Sequence, residues 1–132
     1  MTIKWRDEMS VGCDSIDNDH KNLINLIIEY EKTLELKSVK RLNLVFSELV
    51  RYSEEHFKRE EDLLFKSQYP LALDHSEHHE VLLTQLKDFH KLLTEKKKFN
   101  AQKTSDFFRT WLIEHVLQED LKFKTYIEKK IQ

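Results

Sequence analysis

Apolar residues return every three or four positions along most of this chain, and polar breaks divide them into four stretches. Ile16, Leu23, Ile24, Ile27, Ile28 and Leu34 share one stripe and predict a helix over 17–36. After a break at Lys37 and Ser38, Leu42, Val45, Phe46, Leu49, Tyr52, Leu63 and Leu64 predict a second over 39–66. Pro70, at home near a helix start, opens a third over 71–97, with Leu71, Leu82, Leu86, Phe89 and Leu93 turned inward. The segment from Lys96 to Asn100 ends it, and Phe107, Phe108, Trp111, Val116 and Ile127 carry a fourth over 104–130. Residues 1–16 have no helical period and form an N-terminal arm, anchored by Trp5 and Val11 and turned at Gly12. Asp17 is the expected N-cap of the first helix. Long helices joined by short loops pack up-down-up-down. The expected fold class is therefore all-α, an antiparallel four-helix bundle with an arm, in one domain over 1–132.

The polar residues that interrupt these stripes carry the chemistry. They are His20 in the first helix, His56 with Glu60 in the second, His75 with His79 in the third, and His115 with Asp120 in the fourth. Residues four apart lie ~40° apart around a helix axis and ~6 Å apart along it, so each i, i+4 pair points one way. Those pairs sit in mid-stripe and point at the core. Burying such groups unpaired costs several kcal/mol per ionised group. Metal coordination compensates, because it takes neutral imidazole and ionised carboxylate together. The register agrees: the ligands come early in the odd helices and later in the even ones, toward one end of an up-down bundle.

His115 and Asp120 fit less simply. Five residues turn a helix by ~500°, which leaves the two ~140° apart. A shared site requires a local distortion such as a π-bulge, and Glu119, at the ordinary spacing, competes for the role. His90 lies ~16 Å beyond His79 along the third helix and is read as structural. His78 is placed outside the site, where it can at most touch the residues around the ligands.

Composition narrows the rest. One glycine and one proline exclude glycine-dependent phosphate loops and β-sandwiches. A net charge of −2, with both signs interspersed, argues against a nucleic-acid partner. Lys96, Lys97 and Lys98 read as a helix end complementing its dipole. No apolar run approaches the ~20 residues of a membrane span, so no membrane insertion is expected. Lys4, Arg6, Asp7 and Glu8 without an apolar core do not make a secretory signal. Cys13, a lone cysteine, is read as a small, partly buried residue of the arm, and the expected location is cytoplasmic.

The same residues carry a resemblance. Trp5, Gly12, Ile16-Asp17, His20, His56-Phe57-Lys58-Arg59-Glu60-Glu61, Tyr69-Pro70, His75 to His79, Trp111-Leu112, His115 and Asp120 follow one another as in the hemerythrins. The chain most resembles their single-domain bacterial members. Imidazole-rich ligation suits iron, zinc or copper, so iron is implied by the resemblance alone. It implies a non-haem di-iron centre with an oxo or hydroxo bridge. His75, His79 and His115 would hold one iron, His20 and His56 the other, and Glu60 and Asp120 would bridge both. The family's last ligand pair has the five-residue offset, which selects Asp120 over Glu119. That ligand count fills the three-histidine iron and leaves one open position on the other, for dioxygen. Phe57, Trp111 and Leu112 become candidate walls of a dry pocket. His78 stands where similar sequences often carry Glu.

The implied function is reversible dioxygen binding for delivery, storage or buffering, without enzymatic turnover. Ferritin-like di-iron proteins use Glu-x-x-His pairs and more carboxylates, a pattern lacking among the inward positions here, which argues against ferroxidase chemistry. The alternatives are an oxygen, redox or nitric-oxide sensor acting through a separate protein partner, a weak peroxidase, and a structural zinc site.

Overall fold

Gly12, with φ of 76°, occupies the left-handed region that a side chain disfavours, and it turns the arm into the first helix. The computed structural model describes residues 4–95 and 98–131, with side chains through 126. α1 runs Asp14–Glu35, so it begins before the expected cap. Cys13 holds the cap position without a side-chain bond to the helix backbone. Asp17, one turn inside the helix, instead reaches back to the arm: its carboxylate accepts from Ser10 Oγ at 2.5 Å and from Val11 N at 2.9 Å. Its charge still complements the helix N-terminus. The arm is thereby tied down, and Val11 is fully buried.

α2, Val39–Lys66, starts on Ser38, whose side chain accepts from Arg41 N. It ends in the paired bonds of a Schellman turn, Tyr69 N to Leu64 O and Gln68 N to Phe65 O, with Gln68 left-handed at φ 57°. Pro70 follows, where it cannot continue a helix. α3 is Ala72–Thr94, shorter than expected, and Lys96 and Lys97 lie outside the described residues. α4, Ala101–Ile113, begins earlier than expected because Asn100 caps it, accepting from Lys103 N at 2.9 Å. A π-helical stretch, Glu114–Asp120, and then α5, Leu121–Ile131, continue α4 as the fourth rod of the bundle. The side chain of Ile127 lies outside the described residues.

The four rods form an antiparallel bundle in which α1 packs on α2 and α4, and α2 on α3. Its interior is not uniform. A large apolar core fills one end, where Tyr30 meets Phe46 and Phe108 edge-on, the Tyr30–Phe108 centroids 4.8 Å apart. A smaller core of Val11, Ile16, Leu64, Tyr69, Ala72 and Phe123 closes the other. Tyr126 OH ties the fourth rod to the end of α2, donating to Ser67 O and Gln68 O. Between the two cores lies a layer of buried imidazoles and carboxylates. Among the described residues, no helix is long and apolar enough to cross a membrane.

Candidate metal centre

Each rod contributes to the polar layer from the stripe that faces the bundle axis. His20 follows Ile16 by four on α1, and His56 and Glu60 lie between Leu49 and Leu64 on α2. His75 and His79 stand one turn apart at the start of α3. All seven sequence-predicted residues come together there, and none is more than 3% exposed. Their donor atoms form two groups, His20, His56, Glu60, His115 and Asp120, and Glu60, His75, His79, His115 and Asp120. Within each group the atoms lie within 4.8 Å of one another.

The carboxylates divide their oxygens between the two groups. Glu60 Oε1 faces His75 Nε2 at 2.5 Å and His79 Nε2 at 3.1 Å. Its Oε2 faces His56 Nε2 at 3.2 Å and His20 Nε2 at 3.5 Å. Asp120 Oδ1 lies 2.9 Å from His75 Nε2, and its Oδ2 lies 2.8 Å from His20 Nε2. His115 is intermediate. Its Nε2 is 3.1 Å from Asp120 Oδ2 and 3.7 Å from Glu60 Oε1, so geometry alone places it in both groups.

The π-helical stretch explains how His115 and Asp120 share the layer. A π turn closes i→i+5, as in the bond from Leu121 N to Val116 O, and five residues then make about one turn. Asp120 is fully buried, whereas Glu119 is partly exposed and pairs with Lys122. Burial decides between them.

Two further carboxylates back the imidazoles, and the stripes did not reveal them. His56 donates its Nδ1–H to Asp19 Oδ2 at 3.1 Å, and Asp19 also accepts from Tyr52 OH at 2.8 Å and from Arg59 at 2.7 and 2.9 Å. His79 donates its Nδ1–H to Glu61 Oε2 at 3.1 Å, and Ser76 Oγ bonds the other oxygen. A proton fixed on Nδ1 leaves the Nε2 lone pair aimed into the layer. Burial works against the Asp19 charge, but the bonds from His56, Arg59 and Tyr52 outweigh it and hold the carboxyl well below the usual range. In sequence Asp19 and Glu61 are only the neighbours of His20 and Glu60. Asp19→Ala is expected to weaken metal binding about 10–100-fold, read by competition against a coloured chelator.

The donor set fits cations. His20 Nε2, His79 Nε2, Glu60 Oε2 and both oxygens of Asp120 are buried without a hydrogen-bond partner, although their neighbours lie close. Lone pairs converge where hydrogen-bond geometry fails, and such orphaned groups call for an explanation. Charge points the same way. Burial and the adjacent Glu60 push the Asp120 carboxyl well above its ordinary range. Glu60, against the same burial, is held well below its own range by His115 and His56. A positive ion between them would let both ionise.

A family model, the hemerythrin HHE cation binding domain, matches residues 11–127, a span that holds all seven converging side chains. The chain belongs to the hemerythrin family. Bacteriohemerythrin of Clostridium acetobutylicum is 28% identical over 124 residues, covering 90% of this chain and 96% of that protein. Myohemerythrin-1 of Phascolopsis gouldii is 26% identical over 120 residues, covering 91% and 90%. A crystal structure of wild-type hemerythrin has the same fold, with a TM-score of 0.90 over 96% of this chain and 98% of the other, at 21% identity.

The other two histidines lie outside this hemerythrin centre. His90 Nε2 donates to Asn43 Oδ1 at 2.7 Å and its ring stacks on Phe46, which makes it a structural residue. His78 is half-buried on α3, and burial pushes its imidazole below the ordinary value.

Proposed function

We propose that this chain binds dioxygen reversibly at two iron ions held by His20, His56, Glu60, His75, His79, His115 and Asp120. The observation that carries the reading is the division of oxygens: Glu60 and Asp120 each turn one oxygen toward His75 and the other toward His20. Two donor sets joined by shared carboxylates suit a pair of ions better than a single one. An iron pair bound there would supply the two electrons, one per ion, that dioxygen takes up on binding and returns on release.

The protein's part is to orient and to keep dry. Asp19 and Glu61 hold one imidazole of each set by its Nδ1–H. Phe57 stacks on His79 with centroids 4.1 Å apart, and Trp111 lies parallel to His115. These rings, with Leu112, exclude water on the bundle side, and exclusion favours return of the gas over loss of a reduced oxygen species. In this reading His75, His79 and His115 would fill the coordination of one iron, while His20 and His56 would leave the other an open position, in a single domain placed in the cytoplasm. The role is delivery, storage or buffering of oxygen.

The test combines metal analysis with optical spectroscopy. Reduced protein holding two irons per chain should colour in air and bleach again when oxygen is removed. Immediate, unavoidable conversion to the ferric form would sink the carrier reading. Steady turnover of peroxide with a reductant would replace it with an enzymatic one.

A further inference from the structure

The turn of each rod next to the histidines, on the side of the large core, forms one level of the bundle. α2 and α4 run in the same direction, so the turns before His56 and His115 meet the turns after His20 and His79, about 4.5–6 Å along the axis. Leu23, Ile24, Ser53, Leu82, Trp111 and Leu112 make up this level, and none is more than 4% exposed. It is apolar except for two side-chain atoms, Ser53 Oγ and Trp111 Nε1. Both are buried and have no hydrogen-bond partner.

Ser53 is the unusual one. A serine inside a helix commonly returns its hydroxyl to the carbonyl four residues back, and this one does not. It lies on the axis-facing stripe of α2, seven residues before Glu60 and therefore within ~20° of the same direction. The aromatic cover is Phe57, one turn on from Ser53, which stacks on His79 and meets His115 at 5.2 Å and His56 at 5.5 Å, and Trp111, which parallels His115. Ser53 lies three residues before His56, whose ring meets that of His20 at 4.8 Å, and it points along Glu60, which belongs to both donor groups. The smallest side chain of the level thus brings a free donor over Glu60, beside the turn that carries His56.

We propose that Ser53 selects the exogenous ligand, donating a hydrogen bond from Oγ to a small acceptor, such as a triatomic anion or dioxygen, held beside His20 and His56. The proposal rests on the two-iron reading of the layer. A hydroxyl without a protein partner favours a ligand that can accept its proton and disfavours one that cannot. Wholly apolar walls would make no such distinction.

The test uses ferric, iron-loaded full-length protein and azide, followed by optical titration. Ser53→Ala should bind azide about three- to tenfold more weakly than the unaltered chain. Ser53→Val should fall below the equally bulky Ser53→Thr by a similar factor, which separates the hydroxyl from the space it fills. Equal azide affinity within either pair overturns the proposal. Iron is counted in the same samples, so an unaltered chain lacking two irons refutes the two-iron reading rather than the role of Ser53. Metal-free protein gives a readout independent of iron. There Ser53→Ala should melt no lower than the unaltered chain, because it removes a hydroxyl without a partner; a clear loss would mean that Oγ bonds within the protein, and would overturn the proposal.

Discussion

Purified Glu60→Ala should retain fewer than two iron ions per chain. Glu60 Oε1 faces His75 and His79 while Oε2 faces His20 and His56, so one truncation removes an oxygen donor from both sets and leaves the imidazoles facing each other. The negative charge goes as well, and a buried pair of cations depends on it. Even residues that only orient ligands are worth about 10–100-fold in metal affinity. Loss of a bridging ligand should exceed that for at least one ion. Asp120→Ala should behave alike, since its oxygens divide between His75 and His20. Glu119→Ala is the control and should keep both ions, because its carboxylate pairs with Lys122. The measurement is iron per chain after gel filtration; two full equivalents in Glu60→Ala would refute the bridge.

Chelation should lower the melting temperature by about 10–20 °C. A ligand present at a thousand times its dissociation constant contributes about 4 kcal/mol, and a chain of this size shifts by a few degrees per kcal/mol. The stripped protein should also respond to alkali in a particular direction. Burial disfavours the His75 cation, but the Asp120 and Glu60 carboxylates outweigh it and raise the imidazole to about 9. A group raised on folding stabilises fully below its unfolded value, about 6.5, and that contribution disappears as pH climbs through about 9. Metal-free protein should therefore melt lower at pH 9 than at pH 6. Iron-loaded protein should show no such loss, because its ligands are neutral imidazoles already. Calorimetry on both forms checks the pair of outcomes, and equal melting of loaded and chelated protein would refute the first.

The bundle was legible because each rod keeps its apolar stripe through several turns, and the seven polar interruptions are large departures from it. The errors fell on residues whose partners are distant in sequence or whose local cue was ambiguous. Asp17 has the right chemistry for a cap, but Ser10 and Val11 claimed its oxygens. Asn100 has the composition of a helix end, but its side chain starts the next helix. Asp19 and Glu61 sit on stripe flanks, where a charged residue ordinarily faces water, and only the approach of His56 and His79 gives them a role. Ser53 lies on the stripe itself, where one small polar residue hardly disturbs a hydrophobic period.

The irregular turn in the fourth rod has an effect beyond Asp120. Each residue advances an α-helix by ~100°, so accommodating one extra changes the phase of everything after it. Phe123 enters the smaller core, and Tyr126 finds the end of α2, only on that altered phase. The same extra residue that delivers a carboxylate to the histidines therefore seats the tail of the bundle. Deleting it would mis-dock the last helix along with emptying the layer.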